Sequence, residues 1–186
     1  MKTALLATLF LAVPALAQEK KAPPPPPPTT VSGVLEKQLT NVETGLVPLV
    51  EAMPADKFDF APSGEGFKDV RTFKQQVGHV GFALERYAHL LLGEKSPYGP
   101  EDAKGGPAKL KTKEDYVAFL KAAFAHAHKA VQTVNEKNEM ELVGETSKNT
   151  KLAAANLMTW HSFDHYGQLV VYARFNGIVP PASRNN

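Results

Sequence analysis

The chain has 186 residues, 43% of them apolar, and a formal net charge of +2 with acids and bases interspersed. This is long enough for one domain with a buried core, and the apolar share suits an ordinary globular protein rather than a disordered or membrane one. The weak, scattered charge excludes a basic nucleic-acid-binding stripe, and the absence of cysteine excludes disulfides, thiolate nucleophiles and thiolate metal ligands.

Lys2, an apolar run over residues 4–13, and then Ala15, Leu16 and Ala17 form the pattern of a secretory leader cleaved before Gln18. The run is too short to cross a bilayer as a helix, and no later run is long and apolar enough to do so. Residues 1–17 are therefore expected to be a signal peptide, and the mature protein to be periplasmic or secreted. Residues 18–33 read as a linker. Its six consecutive prolines, 23–28, favour an extended polyproline II rod, read as a spacer in preference to a ligand for a polyproline-binding partner.

The domain is expected over residues 34–181, with 182–186 as a tail. A first helix is predicted over 34–53, with Leu35, Leu39, Val42, Leu46, Leu49, Val50 and Met53 at three- and four-residue spacing. Pro48 within it predicts a kink or break. A loop with Pro62, Gly64 and Gly66 covers 54–68. A second helix, 70–92, carries Val70, Phe73, Val77, Val80, Leu84, Tyr87 and Leu91, and stops at Gly93. The Pro- and Gly-rich stretch 94–111 is a long crossing loop. A third helix opens on Thr112 as N-cap, with Asp115 three residues on, and carries Tyr116, Phe119, Leu120, Ala123, Ala127, Val131 and Val134. A polar segment, 135–151, leads to a fourth helix over 152–176, ended by Gly177 and then Pro180 and Pro181. Four amphipathic helices without a strand predict an all-α four-helix bundle held by packing of its apolar faces.

The fourth helix carries the chemistry. Ala154, Met158, His161, His165, Gln168, Tyr172 and Phe175 form the stripe expected to face the bundle axis. Two successive core positions are then histidine, one turn apart on one face, where their rings can converge on one point. A buried polar group without a partner costs roughly 1–3 kcal/mol, and a divalent metal would satisfy both rings at once. The donor set of His, Asp and Glu suits Zn, Ni or Fe(II). Ser162 stands where a zinc metalloprotease helix carries its glutamate base, so the motif is not that one.

A third ligand must come from elsewhere, and His79, mid-way along the second helix beside its apolar stripe, is the best candidate. His126 is the reserve. His128 lies two residues on and points another way. His89, near the end of the second helix, reads as a solvated surface residue. Asp164 either orients a ring N–H from outside the ligand shell or is an exposed acid. Gln76, Gln168 and Tyr172 are candidates to line a pocket, and no residue stands out as a general base.

These residues resemble the DinB/YfiT-like superfamily. The likeness rests on His79 within Phe73-Lys-Gln-Gln-Val-Gly-His-Val, on His161-x-x-x-His165-Tyr-Gly-Gln, and on Arg174-Phe-Asn-Gly177-Ile-Val-Pro180, and it spans about residues 34–181. It implies a four-helix bundle with a divalent metal, usually Zn or Ni, on three histidines that correspond to His79, His161 and His165, with positions left open for water. Members include metal-dependent hydrolases and transferases or isomerases that use a low-molecular-weight thiol, and some are dimers. An exported chain favours the hydrolase, since such thiols are mainly cytoplasmic. The alternatives are the thiol-dependent transferase and a non-catalytic protein that binds a metal or small ligand in the cell envelope.

Overall fold

A computed structural model describes residues 28–144 and 147–184. The expected leader, residues 18–27 of the linker and the last two residues of the tail lie outside the described residues. Four helices build the domain: α1 (Val31–Ala52), α2 (Phe73–Leu92), α3 (Lys113–Val131) and α4 (Lys151–Phe175). The described residues hold no strand, only one isolated bridge between Leu142 and Thr150. No helix among them is long and apolar enough to cross a membrane.

Each helix starts on a threonine. The hydroxyls of Thr30, Thr72, Thr112 and Thr150 accept from the backbone N–H groups of Gly33, Gln75, Asp115 and Ala153, satisfying donors that have no partner within the helix. At Thr72 and Thr112 the side chains of Gln75 and Asp115 return the bond, completing capping boxes. The cap at Thr72 starts α2 three residues later than the hydrophobic spacing predicts, so Val70 lies outside it and is exposed. α1 starts three residues earlier than expected and runs as one helix through Pro48. Its seven buried residues, Leu35 to Val50, flank that proline on both sides, so packing holds the element together where propensity would end it. Gly93, at a φ of 69°, ends α2 where expected.

Around the bundle the order is α1, α3, α2, α4: α2 packs against α3 and α4, and α1 packs against the same two. The core lies between them. It is built from Leu39, Val42, Leu46 and Leu49 of α1, Phe73, Val77, Val80 and Leu84 of α2, Leu120 and Phe124 of α3, and Met158 and Leu169 of α4.

α4 is rotated from the expected stripe. Its buried residues are Ala154, Ala155, Met158, Thr159, Ser162, His165, Leu169, Tyr172 and Ala173. Phe175 is 63% exposed, and His161 and Gln168 sit at the edge of the buried face. Ser162 fits inside because its hydroxyl donates to the Met158 carbonyl one turn back, at 2.7 Å.

On the far side of α3, His128 is clamped by α1. Its Nε2 is 2.9 Å from a Glu43 oxygen and its Nδ1 is 2.8 Å from a Glu36 oxygen. The Glu36 contact is an ion-pair contact, its angles falling outside hydrogen-bond geometry. Burial acts to lower the His128 pKa, but the two carboxylates together outweigh it and the net shift is upward. A raised folded-state value means the charged clamp stabilises the fold fully below the unfolded pKa of about 6.5. That contribution is lost as pH rises through the folded value. The wild type is expected to exceed His128→Gln in stability by roughly 1 kcal/mol at pH 6, and the gap to shrink by pH 8. Urea unfolding at the two pH values measures this, and a gap that widens with pH would contradict it.

Candidate metal centre

α2 and α4 lie side by side, which brings His79, two turns into α2, against the pair on α4. The Nε2 atoms of His79 and His161 are 3.1 Å apart. Ring centroids are 5.0 Å apart for His79 and His161, 4.8 Å for His79 and His165, and 4.6 Å for His161 and His165. One nitrogen from each ring lies within 4.8 Å of the other two, a grouping that could hold a metal ion. The three residues expected from the sequence are thus brought together. The reserve, His126, is elsewhere, between α2 and α3.

The tautomers favour coordination. His79 Nδ1–H donates to the carbonyl of Ala103, leaving the Nε2 lone pair to face His161. Around a tetrahedral ion with bonds of 2.0–2.1 Å, ligand nitrogens lie about 3.3 Å apart, close to the spacing found. His165 Nδ1 is buried with no hydrogen-bond partner among the described residues, a polar atom whose burial a ligated ring would justify.

All three rings are held below the ordinary histidine pKa. Burial is the main cause at each. At His79 the Ala103 bond opposes it and Arg71 adds to it. At His161 the neighbouring His79 adds to it. At His165 burial, His161 and His79 together bring the value to about 4. Neutral imidazoles at neutral pH keep their lone pairs free for a cation.

The support around the rings comes from a close backbone approach. The turn Pro100–Lys104 and the glycines after it lie directly on α2, where a Cβ on Gly78 would be 1.9 Å from the Gly105 oxygen. Arg71 Nε holds the same turn through the Lys104 carbonyl at 3.0 Å, and the Arg71 carbonyl accepts from the Tyr172 hydroxyl at 3.1 Å. Beside the rings, the Gln76 amide donates to Gln168 at 2.7 Å, and Gln168 donates on to Asp164 at 3.2 Å. Asp164 is exposed and bonds no histidine ring, so the acceptor that orients a ring N–H is the Ala103 carbonyl. That acceptor was missed from the sequence, because a backbone oxygen carries no residue signal. Gln76, Gln168 and Tyr172 line a cavity of about 320 Å³ together with Arg71. His79 and His161 open instead on a cavity of about 250 Å³ walled by Phe82, Tyr87, Leu157 and Trp160, with Arg86 at its edge.

His89 departs from expectation. It is buried, at 9% exposure, and groups with Glu85 and His126 rather than facing water. Packing of α3 over the last turns of α2 covers it.

No curated protein matches the chain. A solved structure, described as a conserved protein from Enterococcus faecalis, is similar in fold, with a TM-score of 0.62 over 79% of this chain and 97% of that one at 13% identity. Such identity speaks to the fold alone. The family model of the DinB superfamily matches residues 38–169, a span that takes in α2, its His79 and both α4 histidines, and the chain belongs to that superfamily.

Proposed function

We propose that His79, His161 and His165 bind a divalent cation, zinc or nickel, and that the protein is an exported metal-dependent hydrolase of small substrates. The observation that carries the reading is the convergence of three imidazoles from two helices, with 3.1 Å between the Nε2 atoms of His79 and His161 and a buried, unpartnered nitrogen on His165. A dication on three neutral ligands keeps its full charge and an open position, and acts as a Lewis acid toward water or a carbonyl. The chain's own residues set the rest. The Ala103 carbonyl holds the His79 ring in one tautomer. Phe82, Leu157 and Trp160 give the adjoining cavity apolar walls, and Arg86, which also lines it, offers a cation to an anionic group. Export rests on the leader pattern of residues 1–17.

Elemental analysis of protein purified without a His-tag tests the reading. The wild type is expected to carry about one equivalent of zinc or nickel at this centre, and His161→Ala to lose it while His128→Gln retains it. A wild type that takes up neither metal after reconstitution removes the proposal.

A further inference from the structure

A second group of metal-type side chains lies outside this centre. Glu85 and His89 are one turn apart on the buried face of α2, and His126 meets them from α3. One ligand atom of each lies within 4.8 Å of the other two. Glu85 is 7% exposed. Among the described residues its carboxylate has no lysine or arginine partner, only imidazoles: His126 Nδ1 at 2.8 Å and His89 Nδ1 at 3.4 Å. Ligand atoms in a tetrahedral shell stand roughly 3.3 Å apart, so a group gathered within 4.8 Å can close on one ion.

The surroundings fix both rings. His89 Nδ1–H donates to the Glu85 carbonyl at 2.7 Å, which leaves Nε2 unprotonated. The left-handed Gly93 turns the chain back so that Glu94 lies over α3, 3.1 Å from His126 Nε2, with Lys129 3.5 Å from its other oxygen. A carboxylate that takes the Nε2–H of a histidine fixes the lone pair on Nδ1, the arrangement that orients metal-bound histidines. His126 Nδ1 lies 2.8 Å from a buried Glu85 oxygen, so a carboxylate stands at each of its ring nitrogens. Between Nδ1 and the Glu85 oxygen there must be either a proton or a metal ion, and a metal ion would also use the His89 Nε2 beside them.

We propose that Glu85, His89 and His126 form a second divalent-cation site, with Glu94 orienting His126 from outside the ligand shell. Two nitrogens and one carboxylate oxygen suit a borderline first-row ion such as Zn²⁺. His89 and Glu94 also line a cavity of about 450 Å³ with Tyr98, which gives the ion a way in. This cavity shares Phe82, Arg86 and Ala103 with the one beside His79 and His161.

The test is titration of metal-stripped protein with Zn²⁺, and with Co²⁺ followed by its visible spectrum, at neutral pH. The wild type is expected to bind two equivalents. Glu85→Gln, which removes the charge at nearly constant volume, and His126→Gln are each expected to bind one, and to keep the Co²⁺ bands lost in His161→Ala. A folded Glu85→Gln that still binds two equivalents overturns the proposal. So does a wild type that binds one equivalent and loses it in His161→Ala, which identifies the cluster as a protonated His126 held between two carboxylates. The wild-type stoichiometry decides the matter even where a variant fails to fold. A protein that binds one equivalent sensitive to Glu85→Gln but not to His161→Ala upholds this site and overturns the three-histidine centre.

Discussion

Stripping the metal with a chelator is expected to lower the melting temperature by roughly 5–15 °C, because a ligand held only by the native state at 100 to 1,000 times its Kd adds about 3–4 kcal/mol. The sign of the companion mutation is less intuitive. His165 is 5% exposed, its Nδ1 has no hydrogen-bond partner among the described residues, and its ring faces two others. Leucine at that position removes an unsatisfied polar group and restores apolar contact beside Leu169. Stripped His165→Leu is therefore expected to melt above stripped wild type, by about 1–2 kcal/mol in stability. Its gain on adding Zn²⁺ shrinks by the share that the three-histidine centre supplies. This is the trade between stability and site chemistry found wherever polar ligands occupy a core. Differential scanning calorimetry of the four samples measures it. A wild type indifferent to chelator, or a stripped variant that melts below stripped wild type, would contradict the account.

Gly78→Ala is expected to cost about 2–4 kcal/mol. A Cβ there would lie 1.9 Å from the oxygen and 2.4 Å from the carbon of Gly105, both backbone atoms that no rotamer change can move. Either the turn over residues 100–106 lifts off α2 or the helix gives way. Lifting the turn withdraws the Ala103 carbonyl from His79, so metal affinity is expected to fall by roughly 10–100-fold. Gly81→Ala is a milder case, since its Cβ would meet the Phe119 ring at 2.6 Å, a side chain able to shift. Gly66→Ala, with nothing within 4 Å, is the control. Urea denaturation and competitive metal titration read the two effects separately. A Gly78→Ala protein with wild-type stability would mean that the turn does not rest on the helix.

The four helices are legible in the sequence because their apolar spacing, the cap at Thr112 and Gly93 agree with one another, while the caps at Thr30 and Thr72 set starts that the spacing misses by three residues. The grouping of His79, His161 and His165 is legible because histidine at core spacing asks for a partner. The rotation of α4 is not legible. Its inner face holds Ala154, Ala155, Thr159, Ser162 and Ala173, while Trp160, Phe163, Val171 and Phe175 are exposed. Met158, Leu169 and Tyr172 are also inward, so large apolar residues lie on both faces and hydrophobic pattern alone cannot choose between them. The Glu85, His89 and His126 group is hidden for another reason. Glutamate and histidine four apart near a helix end have the spacing of a surface pair, and only the approach of α3 encloses them.

The threonine hydroxyls that open the helices also bear on where the imidazoles arrive. His79 lies seven positions past Thr72, and His161 and His165 lie eleven and fifteen past Thr150, close to two, three and four whole turns. The caps therefore act as index marks: they fix the phase at which each rod presents its donor to the gap between α2 and α4. One residue gained or lost between a cap and its histidine would swing that donor about 100° around the rod and slide it about 1.5 Å along it. The spacing in this stretch of chain is thus constrained more tightly than the identity of most side chains that fill it.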